Sequence, residues 1–235
     1  MAKTFKRILL KVSGERLAGE QHAAVLDGKA IVDIAREIKA IHAKKIEVGV
    51  VIGGGNILRG REAAAAGIVE AQAHQMGMLA TVINAIALQS ALEGLGVQTR
   101  VMSALSIDTV AEPYIRRRAM HHMEKGRVVI FAAGIGNPFF TTDTAGALRA
   151  IEIGAEVYIK ATKVDGIYSA DPKKDKKAKH LAEISYKDVL VKDLQVMDGS
   201  AIALCRDNKL PLMVCKIGEV LKAIEGKAKR TLVHA

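Results

Sequence analysis

Four stretches of this 235-residue chain carry residue types able to handle a phosphate. Gly53, Gly54 and Gly55 come directly after the run Val48 to Ile52, and Arg59 follows shortly. Consecutive glycines let a backbone take positive φ and lie close to a ligand. Their free N–H groups form an anion-binding concavity, and an arginine adds a planar, permanent charge. The alternative is a tight strand-to-helix turn that holds nothing. Lys11 ends an apolar stretch just before Ser13 and Gly14, and Lys160 ends another just before Thr162 and Lys163. A lysine in an apolar strand is either an edge residue snorkelling to water or an ammonium set at the strand's carboxyl end, where α/β folds bind ligands. Finding two such strands makes chance less attractive. The fourth stretch runs from Gly134 to Asp143. Gly134 and Gly136 permit a second close backbone approach, and Thr141-Thr142-Asp143 reads as the N-cap of a helix continuing to Ile153, whose N-terminus attracts anions.

Two better-known phosphate motifs fail at particular residues. Gly14 to Gly19 has Walker A spacing, but Glu20 and Gln21 stand where Lys and Ser or Thr are required. Gly134-x-Gly136 begins a dinucleotide fingerprint, but Phe139 occupies the place of the third glycine, which disfavours a Rossmann dehydrogenase.

The elements that must position these residues alternate between strand and helix. Arg7 to Val12 reads as the first strand. Ile31, Ile34, Ala35, Ile38 and Ile41 give one apolar face to a crossover helix over Lys29 to Ala43, and Val48 to Ile52 completes a β-α-β unit. Met76, Leu79, Ala80, Ile83, Ile86 and Ala87 mark a long second helix to Leu92, with its methionines as core filler. Strands are expected at Gln98 to Met102, Val128 to Ala132, Glu156 to Ala161 and Pro211 to Cys215. Helices are expected at Tyr114 to Lys125, with Arg116, Arg117 and Arg118 solvated, and from Met197 to Asn208, before a terminal helix and strand. Val164 to Pro172 is turn-forming, and its Tyr168 could cover a purine. The basic run Lys173 to Lys179 is expected to be a mobile loop, solvated or closing over a nucleotide. This alternation, with β-branched strands buried on both faces, predicts a single α/β domain with a mainly parallel sheet between helices.

Composition narrows the ligand. A net charge of +10 favours polyanionic partners. With no Trp and only four Tyr and four Phe, the chain is poorly supplied with stacking platforms for single-stranded nucleic acid, so small phosphorylated molecules are favoured. Cys205 and Cys215 lack metal-ligand spacing and are expected to be buried thiols, and no metal ligands are assigned. No signal peptide and no apolar run of bilayer length is expected, which predicts a cytoplasmic protein.

Several motifs together resemble one family, the bacterial uridylate (UMP) kinases of the amino acid kinase fold. They are KVSGE at Lys11 to Glu15, VVIGGGNILRG at Val50 to Gly60, MGMLATVIN at Met76 to Asn84, GNPFFTTDT at Gly136 to Thr144, KATKVDGIY at Lys160 to Tyr168 and VMD at Val196 to Asp198. The resemblance covers nearly the whole chain. It implies a three-layer α/β/α sandwich with an N-terminal lobe for UMP and oligomerisation and a C-terminal lobe for ATP. It also implies Mg²⁺ held mainly through ATP, a homohexamer, and GTP and UTP as effectors. By position, it implies that Lys11, Ser13, Gly14, Gly55 and Arg59 contact the ATP phosphates and the transferred group, and that Thr162, Tyr168 and Asp171 hold adenosine. Gly54, His74, Ile135, Gly136, Asn137, Phe140, Thr141 and Thr142 fall on the UMP site. Lys11, Arg59 and Lys160 would act on the transferred phosphoryl group, with Asp143 and Asp198 orienting the lysines.

The chain departs from the family at four places. His74 stands where the family has an aspartate that grips the ribose, and Ile135 replaces a threonine, so weaker UMP binding is expected. The stretch Glu20 to Val25 lacks a glycine and phenylalanine found in many relatives. Gln89 and Glu93 replace polar or basic residues of the GTP site, although Arg100 and Arg127 remain. The competing expectations are a same-fold kinase that makes an acyl phosphate, against which GNPFFTTD speaks, and a nucleotide-sensing regulator that has lost catalysis.

Overall fold

The computed structural model describes residues 5–19, 24–58, 66–170, 175 and 177–235. In chain order these form β1 (Arg7–Val12), a 3-10 turn (Gly14–Ala18), α1 (Gly28–His42), β2 (Glu47–Ile52), α2 (Glu70–Gly94), β3 (Thr99–Ser103), β4 (Glu112–Pro113) and α3 (Arg116–Glu124). There follow β5 (Val128–Ala132), α4 (Thr142–Glu152), β6 (Val157–Thr162), β7 (Ile167–Tyr168), β8 (His180–Leu181), β9 (Glu183–Ser185) and α5 (Tyr186–Val191). The last elements are α6 (Gly199–Asp207), β10 (Leu212–Lys216), α7 (Val220–Ile224) and β11 (Arg230–His234).

The main sheet has nine strands in the order β4-β3-β5-β2-β1-β6-β10-β11-β9, and β10 with β11 is its one antiparallel pair. Side chains alternate across it as strand geometry requires. Ile8, Leu10 and Val12 of β1 enter a core shared with α1, α2 and α7, while Leu9 enters a second core shared with α3, α4, α5 and α6. The result is the expected α/β/α sandwich. Gly49 interrupts the β-branched run of β2 because a Cβ there would stand 2.9 Å from Phe131 and 3.1 Å from Ile153.

Helix α1 buries the five residues its spacing picked out, and Asp27 caps it by accepting from the Ala30 N–H. Helix α2 requires two corrections. Its core face is Met78, Val82, Ala85, Leu88 and Leu92, whereas Met76, Leu79, Ile83 and Ile86 form an exposed stripe between 37% and 48% accessible. The helix is apolar nearly all round, so periodicity could not say which side meets the sheet. The expectation that no apolar run reaches bilayer length also fails here, because Glu70–Gly94 is long and apolar enough by composition. Its buried face packs on the sheet, and the exposed stripe makes up the rest of that composition. Cys205 and Cys215 are buried free thiols, each pushed up to about 12 by burial.

Candidate active site

The parallel register sets Lys11 directly beside Lys160, because β1 and β6 pair Lys11 with Lys160. Both side chains rise toward the first turn of α4, where Asp143 waits: Lys11 Nζ stands 3.0 Å from Asp143 Oδ1 and Lys160 Nζ 2.6 Å from Oδ2. Lys160 also donates to the Val196 carbonyl at 2.6 Å. Its pKa is lowered, chiefly by burial and also by Lys11, while Asp143 opposes the shift. The Lys11 contact is close but not directed as a hydrogen bond, and Asp143 Oδ1 has no hydrogen-bond partner among the described residues. Lys11 is therefore held by charge alone and keeps its donors for another anion.

Asp198 caps α6 through the Ala201 N–H and accepts from Thr141 Oγ1 at 2.5 Å and Thr144 Oγ1 at 2.8 Å. Burial works to raise its carboxyl, but these hydroxyls and the backbone N–H groups of Ala201 and Ser200 together hold it below its ordinary value. Thr141 in turn caps α4, accepting from the N–H groups of Asp143 and Thr144. Asp198 thus braces the N-terminus of α4, and its charge also favours the Lys160 ammonium, although no hydrogen bond joins the two.

The glycine loop leaves β2 beside this cluster. A Cβ on Gly14 would overlap the Gly53 carbonyl, and one on Gly54 would stand 2.8 Å from Gly77 O and 2.9 Å from Ala80 Cβ. Close approach of backbones therefore requires both glycines. Ser13 opens the 3-10 turn without a side-chain cap bond.

Two cavities flank the cluster. One, of about 710 Å³, is lined by Gly54, Gly55, His74, Phe140, Thr141 and Thr142 together with Glu70. The other, of about 700 Å³, is lined by Lys160, Thr162, Tyr168, Lys192, Gln195 and Val196. Tyr168 donates its hydroxyl to Asp165 at 2.7 Å, and its ring meets His180 edge-on at 5.3 Å. A separate cavity of about 590 Å³, lined by Arg16, Asp27, Asp33 and Glu37, touches neither lysine.

Most candidate residues thus converge, but not all. Ile135, Gly136 and Asn137 do not line the first cavity; Gly136, at φ 85, packs instead against Ala104. Arg59 and Asp171 lie outside the described residues, as do parts of the stretches Glu20 to Val25 and Lys173 to Lys179. His74 does line the cavity, with its ring 5.0 Å from Phe139 and its Nε2 3.9 Å from Glu70 Oε1. Sequence reasoning missed Glu70, whose signal is its i,i+4 spacing from His74 on one helix face. It also missed Thr144, Thr81 and Asn84. Arg100 lies 3.8 Å from Glu93 and 3.7 Å from Glu112, and Arg127 donates to His122 Nδ1 at 2.9 Å, so internal partners engage both arginines.

Comparison with known proteins agrees with this geometry. The chain is 54% identical to a uridylate kinase of Paramagnetospirillum magneticum, over 97% of this chain and 96% of that one. It is 56% identical to a uridylate kinase of Methylococcus capsulatus over 94% of each. Among solved structures, a UMP kinase from Bacillus anthracis superposes with a TM-score of 0.94 at 39% identity, covering 99% of this chain and 97% of that one. A UMP kinase from Ureaplasma parvum also reaches 0.94, at 37% identity, covering 99% of this chain and all of the other. The amino acid kinase family model matches residues 6–216. A paired-lysine cluster between two cavities, on a fold shared with these proteins over nearly its full length, places the chain in the amino acid kinase family.

Proposed function

We infer that this chain is a uridylate kinase, transferring the γ-phosphoryl group of ATP to UMP to give UDP. The observation that carries this conclusion is the pair of ammonium groups on one carboxylate, with Lys160 lining one nucleotide-sized cavity and Thr141 and Thr142 lining the other. Phosphoryl transfer is mainly positioning and charge stabilisation, which is what this arrangement offers.

ATP occupies the cavity built by residues from Lys160 onward, with Tyr168 and Thr162 toward the nucleoside. UMP occupies the cavity of Gly54, Gly55 and the α4 N-terminus, whose positive dipole end favours its phosphate. The N-terminal lobe is thus the acceptor lobe and the C-terminal lobe the ATP lobe. Lys11, with its unspent donors, and Lys160 hold the phosphoryl oxygens as charge develops; Ser13 and Gly14 stand next to Lys11, and Arg59 adds charge from the glycine loop. Asp143 keeps the lysines together, and Asp198 keeps Asp143 in place through α4. No general base is needed, since a phosphate monoester with a second pKa of about 6 is already a dianion at neutral pH. Mg²⁺ would be held through the nucleotide's phosphates and would supply charge neutralisation there. Asp143 and Asp198 are already engaged by lysines and hydroxyls of the chain.

The enzyme is a cytoplasmic homo-oligomer, a hexamer by family likeness, and the exposed stripe Met76, Leu79, Ile83 and Ile86 supplies an apolar face for a second copy. Its response to GTP is weak, because Glu93 and Glu112 already flank Arg100.

A coupled assay with ATP, Mg²⁺ and UMP, CMP, dUMP, acetylglutamate or carbamate tests the assignment. Turnover of UMP is expected. Turnover of an acyl acceptor instead would move the chain to the acyl-phosphate branch, and turnover of none would leave a nucleotide sensor.

A further inference from the structure

Helix α2 turns two polar side chains into the core, Thr81 at 6% exposure and Asn84 at 0%. An apolar residue would pack there without needing partners, so a buried amide calls for bonds that justify it. Asn84 Nδ2 donates to the Gly53 carbonyl at 2.7 Å and to Asn56 Oδ1 at 2.7 Å, and Asn56 Nδ2 returns a bond to Asn84 Oδ1 at 3.0 Å. One carboxamide therefore grips both ends of the glycine loop. Thr81, one turn earlier, accepts from the Ala133 N–H at 2.7 Å. Ala133 and Gly134 are successive left-handed residues, at φ 61 and φ 59, and they open the second phosphate-facing loop. The same short piece of helix thus holds both loops.

The direction of the Asn84 bond matters more than its presence. In a trans peptide the carbonyl and the following N–H point to opposite sides, and no cis peptide occurs among the described residues. Holding the Gly53 oxygen on Asn84 turns the Gly54 N–H the other way. Among the described residues the N–H groups of Gly54 and Gly55 have no hydrogen-bond partner. A peptide between two glycines has no side chain to stop it rotating, and its rotation would aim a carbonyl, not an N–H, at an incoming phosphate.

We propose that Asn84 is a positioning residue for phosphoryl transfer. It locks the Gly53–Gly54 peptide so that the loop's N–H groups face the transferring phosphate, while Thr81 registers the acceptor loop to the same helix. This rests on the glycine loop being the phosphate site of a uridylate kinase.

The test is steady-state kinetics of the full chain carrying Asn84→Leu, Asn84→Asp or Leu88→Ala. Leu88 is fully buried on the same helix face and touches neither loop bond. A misaligned donor is felt in the transition state, so Asn84→Leu is expected to lower kcat about tenfold to a hundredfold. Both KM values should stay within about threefold of wild type. Asn84→Asp keeps the size and an acceptor for Asn56 but, once ionised, cannot donate to Gly53, so at alkaline pH it should lose kcat alike and serves if the leucine variant does not fold. Leu88→Ala should lose thermal stability and keep kcat. Wild-type kcat in a folded Asn84 variant, or an equal kcat loss in Leu88→Ala, overturns the proposal. A wild type that does not phosphorylate UMP overturns the assigned activity and this inference with it.

Discussion

Lys11 and Lys160 are register partners on adjacent parallel strands, and their ammonium groups meet the two oxygens of one carboxylate, Asp143. Like charges directly opposite on neighbouring strands destabilise a sheet. Here the repulsion is split by one anion, and only Lys160 is fixed by directed bonds. A nucleotide's phosphate, arriving as further negative charge, relieves what remains.

Removing the looser lysine should therefore affect chemistry more than fold. Lys11→Ala is expected to lower kcat by about a hundredfold or more, the scale of losing a charge-stabilising donor. The circular dichroism spectrum should be unchanged. A folded variant with wild-type turnover would remove Lys11 from the mechanism.

Tyr168 lines the cavity on the Lys160 side and not the one beside Thr141. Tyr168→Ala should raise KM for ATP by about tenfold, as expected for losing a stacking face. KM for UMP should change little. Equal rises for both would sink the assignment of the two cavities.

His74 offers a ribose one acceptor when neutral and none when protonated, whereas a carboxylate can accept from both hydroxyls. His74→Asp should tighten UMP binding by about tenfold, the typical size of one hydrogen bond to a charged acceptor. Glu70 shares this cavity, so calorimetry on Glu70→Gln belongs beside it. No gain from the aspartate, with a loss from the glutamine, would hand the ribose contact to Glu70.

Asp198 gives the protein an acid limit. Its folded-state carboxyl lies below the ordinary value of 3.8. The stabilisation is therefore complete above that value and is lost as pH falls through the lower folded one. Urea unfolding across the acid range should show a shallower loss of stability for Asp198→Asn. An identical pH slope would mean that other carboxylates set the limit.

Gly146 sits inside α4, where helix propensity alone would favour alanine by about 1 kcal/mol. Packing decides otherwise, since a Cβ would stand 2.6 Å from the Tyr158 ring, itself fully buried. Overpacking of this kind costs about 1–3 kcal/mol. Gly146→Ala should thus melt lower, and a higher melting temperature would show that Tyr158 can move aside.

Much of this was legible in the chain. The β-branched runs and the Ile31 to Ile41 spacing placed β1, β2, β5 and α1 within a residue or so, because strands buried on both faces and an amphipathic helix leave unambiguous patterns. The lysines at the ends of β1 and β6 also marked the site. Their shared partner came from likeness to a family, since nothing in spacing says that Asp143 lies opposite both. The exposed side of α2 was misread because an all-apolar helix carries no moment to follow. Asn84 and Thr81 went unassigned because a polar residue within such a helix declares its role only when its bonds are seen.

The place of β1 in the sheet also orders events in time. Its neighbour β2 follows after one helix, but its other neighbour, β6, begins only at Val157. While the chain is being made, one edge of β1 stays open until most of the sequence has emerged, and such long-range parallel pairing forms slowly. Through that interval Lys11 has no Lys160 beside it, and Asp143 emerges only shortly before β6. Nucleotide binding cannot help the chain through its early folding, and the open edge is then the part most prone to join another chain.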